Sequence, residues 1–249
     1  MDKKELKQYL KHLADKYETK NFIKDDPIQF PRMFVDNGNL MDLEISAVIT
    51  SWLAYGNRKA ILKACKEVHE IMDYDPYYYL TSEVWRVYKG DQRCLYRFFK
   101  YDDFYGLMER LYSIYSNYRS LKSVIEDRFV VHSNGTVFSD LSVIFQGVKG
   151  FPDPENNSAC KRLNLLARWM VRNNSPVDIG CWHRTERGKE WLTIPLDTHV
   201  HKQALDLGIT KRKTADMTTA KEITDFFKDV FPGDPARGDF ALFGLGVDK

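Results

Sequence analysis

The segment MDLEISAVITSWLAYG, residues 41–56, constrains the fold more than any other part of this chain. Its apolar side chains lie around most of the circumference of a helix, whereas a surface helix has a single apolar stripe. The segment therefore predicts a buried central helix that ends at Gly56. A chain of 249 residues, 43% of them hydrophobic, is long enough to surround such a helix with other elements.

The rest of the chain predicts a mainly α fold. Apolar residues recur with helical spacing near the N-terminus, from Cys94 to Phe129, in 136–150 and after Pro195. MTTAKEITDFFKDVF and GDFALFGLGV predict two closing helices. We find no internal repeat and no sustained alternation typical of strands.

Charge and cysteine content exclude several classes of protein. A net charge of +2 gives no global basic field, so a nucleic-acid partner would need a local basic patch. The charged N-terminus lacks a secretion signal, and no stretch has the ~18 to 20 apolar residues of a membrane span. The sequence predicts a soluble cytoplasmic protein. Its four cysteines contain no C-x-x-C motif, which disfavours a structural metal or an iron–sulfur cluster.

The segment PLDTHVHKQALDLG places Asp197, His199 and His201 at alternate positions. One interpretation is a metal site, which would require an extended backbone because residues i and i+2 do not share a helix face. Leu196, Val200, Ala204 and Leu207 instead have helical spacing. The other interpretation is that Asp197 caps a helix, where a carboxylate accepts free backbone N–H groups.

Lys161 is the second residue of interest. Ser158 is predicted to cap a helix, which places Lys161 in its first turn. The positive end of the helix dipole disfavours an ammonium ion there. A neutral lysine amine is a nucleophile that can form a Schiff base, although a solvated surface lysine is also compatible with the pattern.

Together the two segments resemble the core of the helix–hairpin–helix DNA glycosylase superfamily. NNSACKRLNLL is similar to its lysine segment, PLDTHVHKQALDLG to its aspartate segment, and DFALFGLG to its closing helix. LEISAVITSWLAYGNRKAILKA resembles an early buried helix that ends at a loop reaching the DNA. The nearest branch is that of the archaeal 8-oxoguanine DNA glycosylases, and the overall sequence is closest to an uncharacterised bacterial family related to it.

The resemblance implies a two-lobed helical fold with a cleft between the lobes. Residues 1–249 would form one compact helical unit, or two lobes comprising 30–150 and 1–29 plus 151–249. Lys161 would displace a damaged base, with an oxidised purine as the leading substrate, and Asp197 would stabilise positive charge on the sugar. The implied partner is duplex DNA bound by a monomer at the nucleoid, without a cofactor. Implied stacking surfaces in the base pocket are Trp52, Tyr55, Trp169 and Trp182.

The sequence departs from the superfamily pattern in two respects. Lys161 and Asp197 are 36 positions apart, a wide gap, and PDPENNSACK lacks the glycines of the usual L-P-G-V-G-x-K hairpin. Asn156 and Asn157 could adopt the left-handed conformation instead. Local basic residues support DNA binding, although they also fit a solvated surface. The candidates for contact with DNA are Asn156, Asn157, Ser158, Arg162, Lys211, Arg212 and Lys213, joined on the basic surface by Arg168 and Arg172.

Two alternatives remain open. One is a member of the fold that binds nucleic acid without glycosylase activity. The other is a metal-dependent hydrolase that uses Asp197, His199 and His201.

Overall fold

Helices form most of the computed structural model, which describes residues 2–131, 136–156, 158–182 and 188–247. The prediction of a mainly α fold is therefore confirmed. The helices in the described residues are α1 (Lys3–Tyr17), α2 (Lys20–Ile23), α3 (Gln29–Arg32), α4 (Leu40–Leu53), α5 (Arg58–Ile71), α6 (Pro76–Thr81), α7 (Tyr101–Asn117), α8 (Leu121–Val131), α9 (Val137–Ile144), α10 (Lys161–Val171), α11 (Thr198–Asp206), α12 (Met217–Val230) and α13 (Gly238–Val247). Short 3₁₀ helices span Val84–Tyr88, Pro154–Asn156, Lys189–Trp191 and Pro235–Arg237.

A short β-hairpin precedes α7, where the sequence pattern predicts a helix from Cys94 onward. Strands β1 (Cys94–Tyr96) and β2 (Phe99–Lys100) pair antiparallel. The two-residue loop between them contains Arg97, whose φ of 56° is incompatible with a right-handed helix. The prediction is therefore wrong for residues 94–100, and α7 begins at Tyr101.

The chain divides into two compact units. The first unit comprises Met1–Phe22, Thr136–Ser142 and Pro152–Lys249, and the second comprises Ile23–Gly135 and Val143–Phe151.

Helix α4 is the buried helix of the second unit. The Asn39 side chain accepts a hydrogen bond from the Met41 backbone N–H at its start, and residues 42–53 are all buried. The helix ends at Leu53, three residues before Gly56, because Ala54 leaves the helical conformation. The predicted buried helix is confirmed, with an earlier end.

A buried carboxylate of α4 begins another helix. Glu44 is fully buried and accepts hydrogen bonds from the backbone N–H groups of Leu121 and Lys122, at 2.7 and 2.9 Å. It also accepts one from the Tyr115 hydroxyl at 2.8 Å. These contacts satisfy N–H groups that α8 cannot pair internally. Glu44 therefore joins α4, α7 and α8 at one point.

The core of the second unit also holds a neutral histidine. His69 is fully buried, and its ring stacks on Phe30 with centroids 4.9 Å apart. Its Nδ1 donates to the Cys65 carbonyl and its Nε2 accepts from the Ser46 hydroxyl, both at 2.7 Å. Burial lowers the pKa of His69 from 6.5 to about 4, although the Cys65 carbonyl opposes this shift. The imidazole is therefore uncharged at neutral pH.

We expect His69 to make the protein sensitive to acid. Between pH 6.5 and 4 the unfolded chain binds a proton at His69 that the folded chain does not, so the free energy of unfolding falls as the pH falls. The contribution is about 1.4 kcal/mol per pH unit, or roughly 2 kcal/mol between pH 6.5 and 5. Urea denaturation at several pH values measures it.

His69→Gln should be less stable than the wild type at pH 7 but lose less stability on acidification. His199→Gln is the matched control, since His199 is exposed. A His69→Gln variant with the wild-type slope of stability against pH would contradict the assignment.

Helix α13 is central to the first unit and packs against α1, α11 and α12. Gly244 of α13 packs directly against the Tyr17 ring of α1, since a Cβ at this position would lie 1.9 Å from that ring. Phe240, Ala241 and Leu242 of α13 are fully buried. The helix thus brings the first and last segments of the unit together.

Two buried arginines on α10 anchor the first unit. Arg168 Nε lies 3.2 Å from one Asp178 oxygen, and Arg172 Nη1 lies 2.8 Å from the other. Arg172 also pairs with Glu18, at the end of α1, and with Asp234, at 2.8 Å. The arginines are 1% and 2% exposed, so this is an interior ion-pair network rather than a surface one.

Candidate functional site

Lys161 is the first residue of α10. The residue before it, Cys160, adopts a left-handed conformation with φ of 46° and offers no side-chain cap. The Ser158 hydroxyl accepts a hydrogen bond from the Cys160 backbone N–H at 3.1 Å, so it closes the turn before the helix. The prediction that Ser158 caps α10 is wrong, whereas the predicted place of Lys161 in the first turn is confirmed.

Asp197 is the N-cap of α11, as predicted. Its Oδ1 accepts hydrogen bonds from the backbone N–H groups of His199 and Val200, at 3.0 and 2.8 Å. These bonds hold the carboxylate in one orientation. Its second oxygen, Oδ2, does not take part in the cap and contacts a different residue.

That partner is Lys161. The distance from Lys161 Nζ to Asp197 Oδ2 is 3.1 Å, and the side chains are 32% and 24% exposed. The two side chains therefore meet in space, and solvent reaches both of them. Burial raises the pKa of Asp197, but the Lys161 ammonium and the Val200 N–H outweigh it and hold the pKa below its usual range.

A carboxyl group that sequence reasoning missed lies in the same unit. Asp239, in the first turn of α13, accepts a hydrogen bond from Arg168 Nη1. Burial raises the pKa of Asp239 to about 7; the charges of Arg168 and Lys161 oppose this shift, and that of Asp197 adds to it. In the sequence, Asp239 is recognisable only as a carboxylate at the start of the apolar segment DFALFGLG. An acidic residue is common at that position simply because it favours the N-terminus of a helix.

The imidazole rings of the two histidines in the D-x-H-x-H motif do not converge on the Asp197 carboxylate. His199 is exposed, whereas His201 is buried with its Nε2 2.8 Å from the Arg212 carbonyl oxygen. In the described part of the chain, no group of three or more His, Cys, Asp or Glu side chains is arranged to hold a metal ion. The motif therefore has the geometry of a helix start, with Asp197 as the cap of α11.

The residues predicted to contact DNA have different environments. Asn156 and the lysines Lys211 and Lys213 are exposed, and Arg162 is half-buried. The Arg212 guanidinium pairs with Asp216 at 2.7 Å and donates to Thr219. Asn157 lies outside the described residues. Among the described residues of this turn, Cys160 is left-handed and Asn156 is not.

Arg168 and Arg172 do not belong to a basic surface. Both guanidinium groups are buried in the ion-pair network, because each is matched by interior carboxylates. The prediction that they track phosphates is wrong.

Only one of the four aromatic residues predicted to stack on a base is exposed. Trp52, Trp169 and Trp182 are 0% exposed and therefore present no ring face to a ligand in this structure. The Trp52 indole N–H also donates to the Lys149 carbonyl at 2.7 Å. Tyr55 is 46% exposed. The three tryptophans are therefore core residues, and Tyr55 remains a candidate for ligand contact.

The fold and site define a mainly helical protein with a lysine–aspartate pair at the N-termini of two helices. Residues 26–248 match the family model described as "Protein of unknown function (DUF2400)". The match covers most of the chain, which therefore belongs to this family. No curated protein and no solved structure matches the chain. Within the described ranges, no helix is both long enough and apolar enough to cross a membrane.

Proposed function

We propose that this protein is a DNA glycosylase with β-elimination lyase activity and that its substrate is a damaged base, with an oxidised purine as the first choice. The 3.1 Å contact between Lys161 Nζ and Asp197 Oδ2 carries the proposal. In this proposal the fold is the two-lobed helix–hairpin–helix type. The partner is duplex DNA containing the damaged base, which the protein binds as a monomer at the nucleoid.

The position of each residue supports its proposed role. Lys161 begins α10, which places its amine beside the fixed carboxylate of Asp197. Asp197 is fixed by two backbone hydrogen bonds, so its charge needs no reorganisation during the reaction. The partial exposure of both side chains leaves them accessible to a substrate.

The reaction forms one bond as another breaks. The lone pair of the Lys161 amine attacks C1′ of the nucleotide, and the electrons of the glycosidic C–N bond leave with the base, which takes up a proton. Asp197 stabilises the positive charge that develops on the sugar. The nitrogen lone pair then breaks the C1′–O4′ bond, O4′ takes up the proton that the amine has released, and an iminium ion joins Lys161 to C1′. A base removes a C2′ proton, a C2′=C3′ double bond forms, and the C3′–O bond breaks to release the 3′ phosphate. Water hydrolyses the iminium ion and frees Lys161.

Lys161 has to lose a proton before it attacks, and the two carboxyl groups differ in their ability to accept it. Asp197 is a weak base because its pKa is below the usual range. Asp239 contacts Arg168, and burial raises its pKa to about 7, so this carboxyl group can bind a proton at neutral pH.

Covalent trapping with borohydride tests the proposal. The wild-type protein is incubated with duplexes that contain 8-oxoguanine, other oxidised bases, deaminated bases or an abasic site. Borohydride reduces the iminium ion to a stable amine, so an active enzyme gives a protein–DNA adduct on at least one duplex. If no duplex gives an adduct, the glycosylase proposal fails. DNA binding without turnover would instead favour a nucleic-acid-binding member of the fold.

A further inference from the structure

Asn164 lies one turn after Lys161 on α10 and is buried. Its side-chain amide nitrogen donates a hydrogen bond to the Ala159 carbonyl at 3.0 Å. Its backbone N–H donates to the Cys160 carbonyl at 3.1 Å, which is the first main-chain bond of the helix. A single residue therefore holds the carbonyl groups of the two residues that come directly before Lys161.

These two hydrogen bonds fix the backbone torsions of Cys160. The carbonyls belong to the peptide groups on either side of its α-carbon, so holding both of them sets its φ and ψ. The angles are 46° and 41°, in the left-handed region, which is unfavourable for a residue with a Cβ. The Ser158 hydroxyl binds the N–H of the first of these peptide groups at 3.1 Å. Cys160 is thus held in a strained conformation directly before Lys161.

The amide of Asn164 is itself unfavourable in this environment. Because a carbonyl can only accept, the amide nitrogen has to face Ala159, and the amide oxygen points elsewhere. No donor in the segments that the structure describes pairs with this oxygen, Oδ1, although it is buried. Asn164 lines a narrow crevice together with the apolar side chains of Val137, Ala167 and Leu192. A leucine of similar volume would leave no side-chain polar atom unpaired there.

Two local costs in free energy therefore meet at the start of α10, and the helix could form without either. A glycine at position 160 would remove the backbone strain, and a leucine at position 164 would remove the unpaired oxygen. Strain of this kind persists only where the surrounding structure imposes it, and it is concentrated at functional sites. Here it is adjacent to Lys161, whose amine lies 3.1 Å from Asp197 Oδ2.

We propose that Asn164 is a positioning residue for Lys161. By holding the peptide groups on both sides of Cys160, it fixes the direction in which the Lys161 side chain leaves the helix and keeps the amine against Asp197. The inference rests on the proposed function for the part that Lys161 takes in the reaction. The placement of the amine, in contrast, is a property of the protein alone, so the two can be tested separately.

Lysine labelling measures the placement of the amine without any substrate. The whole protein is reductively methylated with formaldehyde and cyanoborohydride, and mass spectrometry gives the rate at Lys161 relative to the exposed Lys202. We expect Asn164→Leu to label Lys161 about 3- to 5-fold faster, because an amine released from a partly exposed ion pair is more accessible to the reagent. Met170→Leu is the matched control, since it keeps the volume of another buried side chain on α10 and should leave the rate unchanged.

A second measurement separates positioning from a merely structural role. On a duplex that traps the wild-type protein, Asn164→Leu should react at least about 10-fold more slowly in a single turnover, because misplacing a reacting group by about 1 Å can cost about 100-fold. Its affinity for that duplex should be unchanged, since Asn164 is buried and does not present a surface to DNA. Faster labelling, slower reaction and unchanged affinity together are the pattern of a positioning residue.

The inference is overturned if Asn164→Leu labels Lys161 at the rate of Met170→Leu, or if its reaction slows only in proportion to its folded fraction in urea denaturation. Asn164→Ala replaces the leucine variant if that variant does not fold, and the same labelling result is expected of it. Faster labelling in a protein that no duplex traps would remove the proposed function alone. Trapping of the wild type, with labelling and rate of Asn164→Leu equal to those of Met170→Leu, would remove this inference alone.

Discussion

Replacement of Lys161 by glutamine is expected to abolish the covalent adduct on every substrate that the wild-type protein can be trapped on. Glutamine has no amine, so neither attack on C1′ nor an iminium ion is possible. The loss should be complete within detection, which makes it the largest effect on activity that we predict. Lys202→Gln is the matched control, because Lys202 is an exposed lysine of α11 and should leave trapping unchanged.

Two further substitutions separate the nucleophile from the ion pair. Lys161→Arg keeps a cation beside Asp197 but cannot form a Schiff base, so it should retain the fold and still give no adduct. Asp197→Asn preserves the helix cap, since asparagine caps about as well as aspartate, but removes the negative charge. We expect about a 100-fold slower rate for Asp197→Asn, which is comparable to the loss of one fixed group that stabilises transition-state charge.

The measurements are adduct yield and single-turnover rate on one duplex, with the stability of each variant determined by urea denaturation. An adduct formed by Lys161→Gln at the wild-type rate would show that another residue is the nucleophile. A wild-type rate for Asp197→Asn would remove the aspartate from the mechanism.

Local rules predicted some parts of this structure well. The continuous apolar character of 41–56 required burial on all sides, and residues 42–53 are buried. Asp197 follows Pro195 and precedes a helical apolar pattern, and it caps α11. Both results depend on a few consecutive residues, for which sequence spacing and backbone hydrogen bonding are sufficient.

Other features depend on contacts between distant segments, which spacing does not specify. Ser158 has the right side chain for a cap, but Ala159 and Cys160 are buried and α10 begins only after them. Trp52 and Tyr55 are three residues apart, yet one is in the core and the other is exposed. The aromatic residue type alone therefore could not identify a stacking surface.

Sequence spacing also failed to predict where the two arginine charges of α10 lie. Residue type predicts a solvated basic face, whereas Arg168 and Arg172 turn inward to the carboxylates of Glu18, Asp178 and Asp234. Those carboxylates come from segments far apart in the chain. Lys161 and Asp197 also meet across 36 positions, and only the resemblance to a family suggested that contact.

The second large effect concerns the stability of the first unit. Asp178 is buried, and its two oxygens accept from Arg168 Nε at 3.2 Å and from Arg172 Nη1 at 2.8 Å. Asp178→Asn removes the negative charge between two buried guanidinium groups without changing the size of the side chain. Breaking a buried ion pair by neutralising one partner typically costs about 3 to 5 kcal/mol. Whole domains have only about 5 to 15 kcal/mol of stability, so the variant should lose a large fraction of its free energy of unfolding.

Urea denaturation followed by circular dichroism measures this loss, and Asp225→Asn provides the comparison. Asp225 pairs with Lys228 at 2.7 Å, but it is 64% exposed, so its replacement should change the free energy of unfolding by no more than about 1 kcal/mol. A loss below about 1 kcal/mol in Asp178→Asn would mean that other carboxylates compensate the two arginines. A large loss would instead establish that the network fixes α10, the helix on which Lys161 is placed.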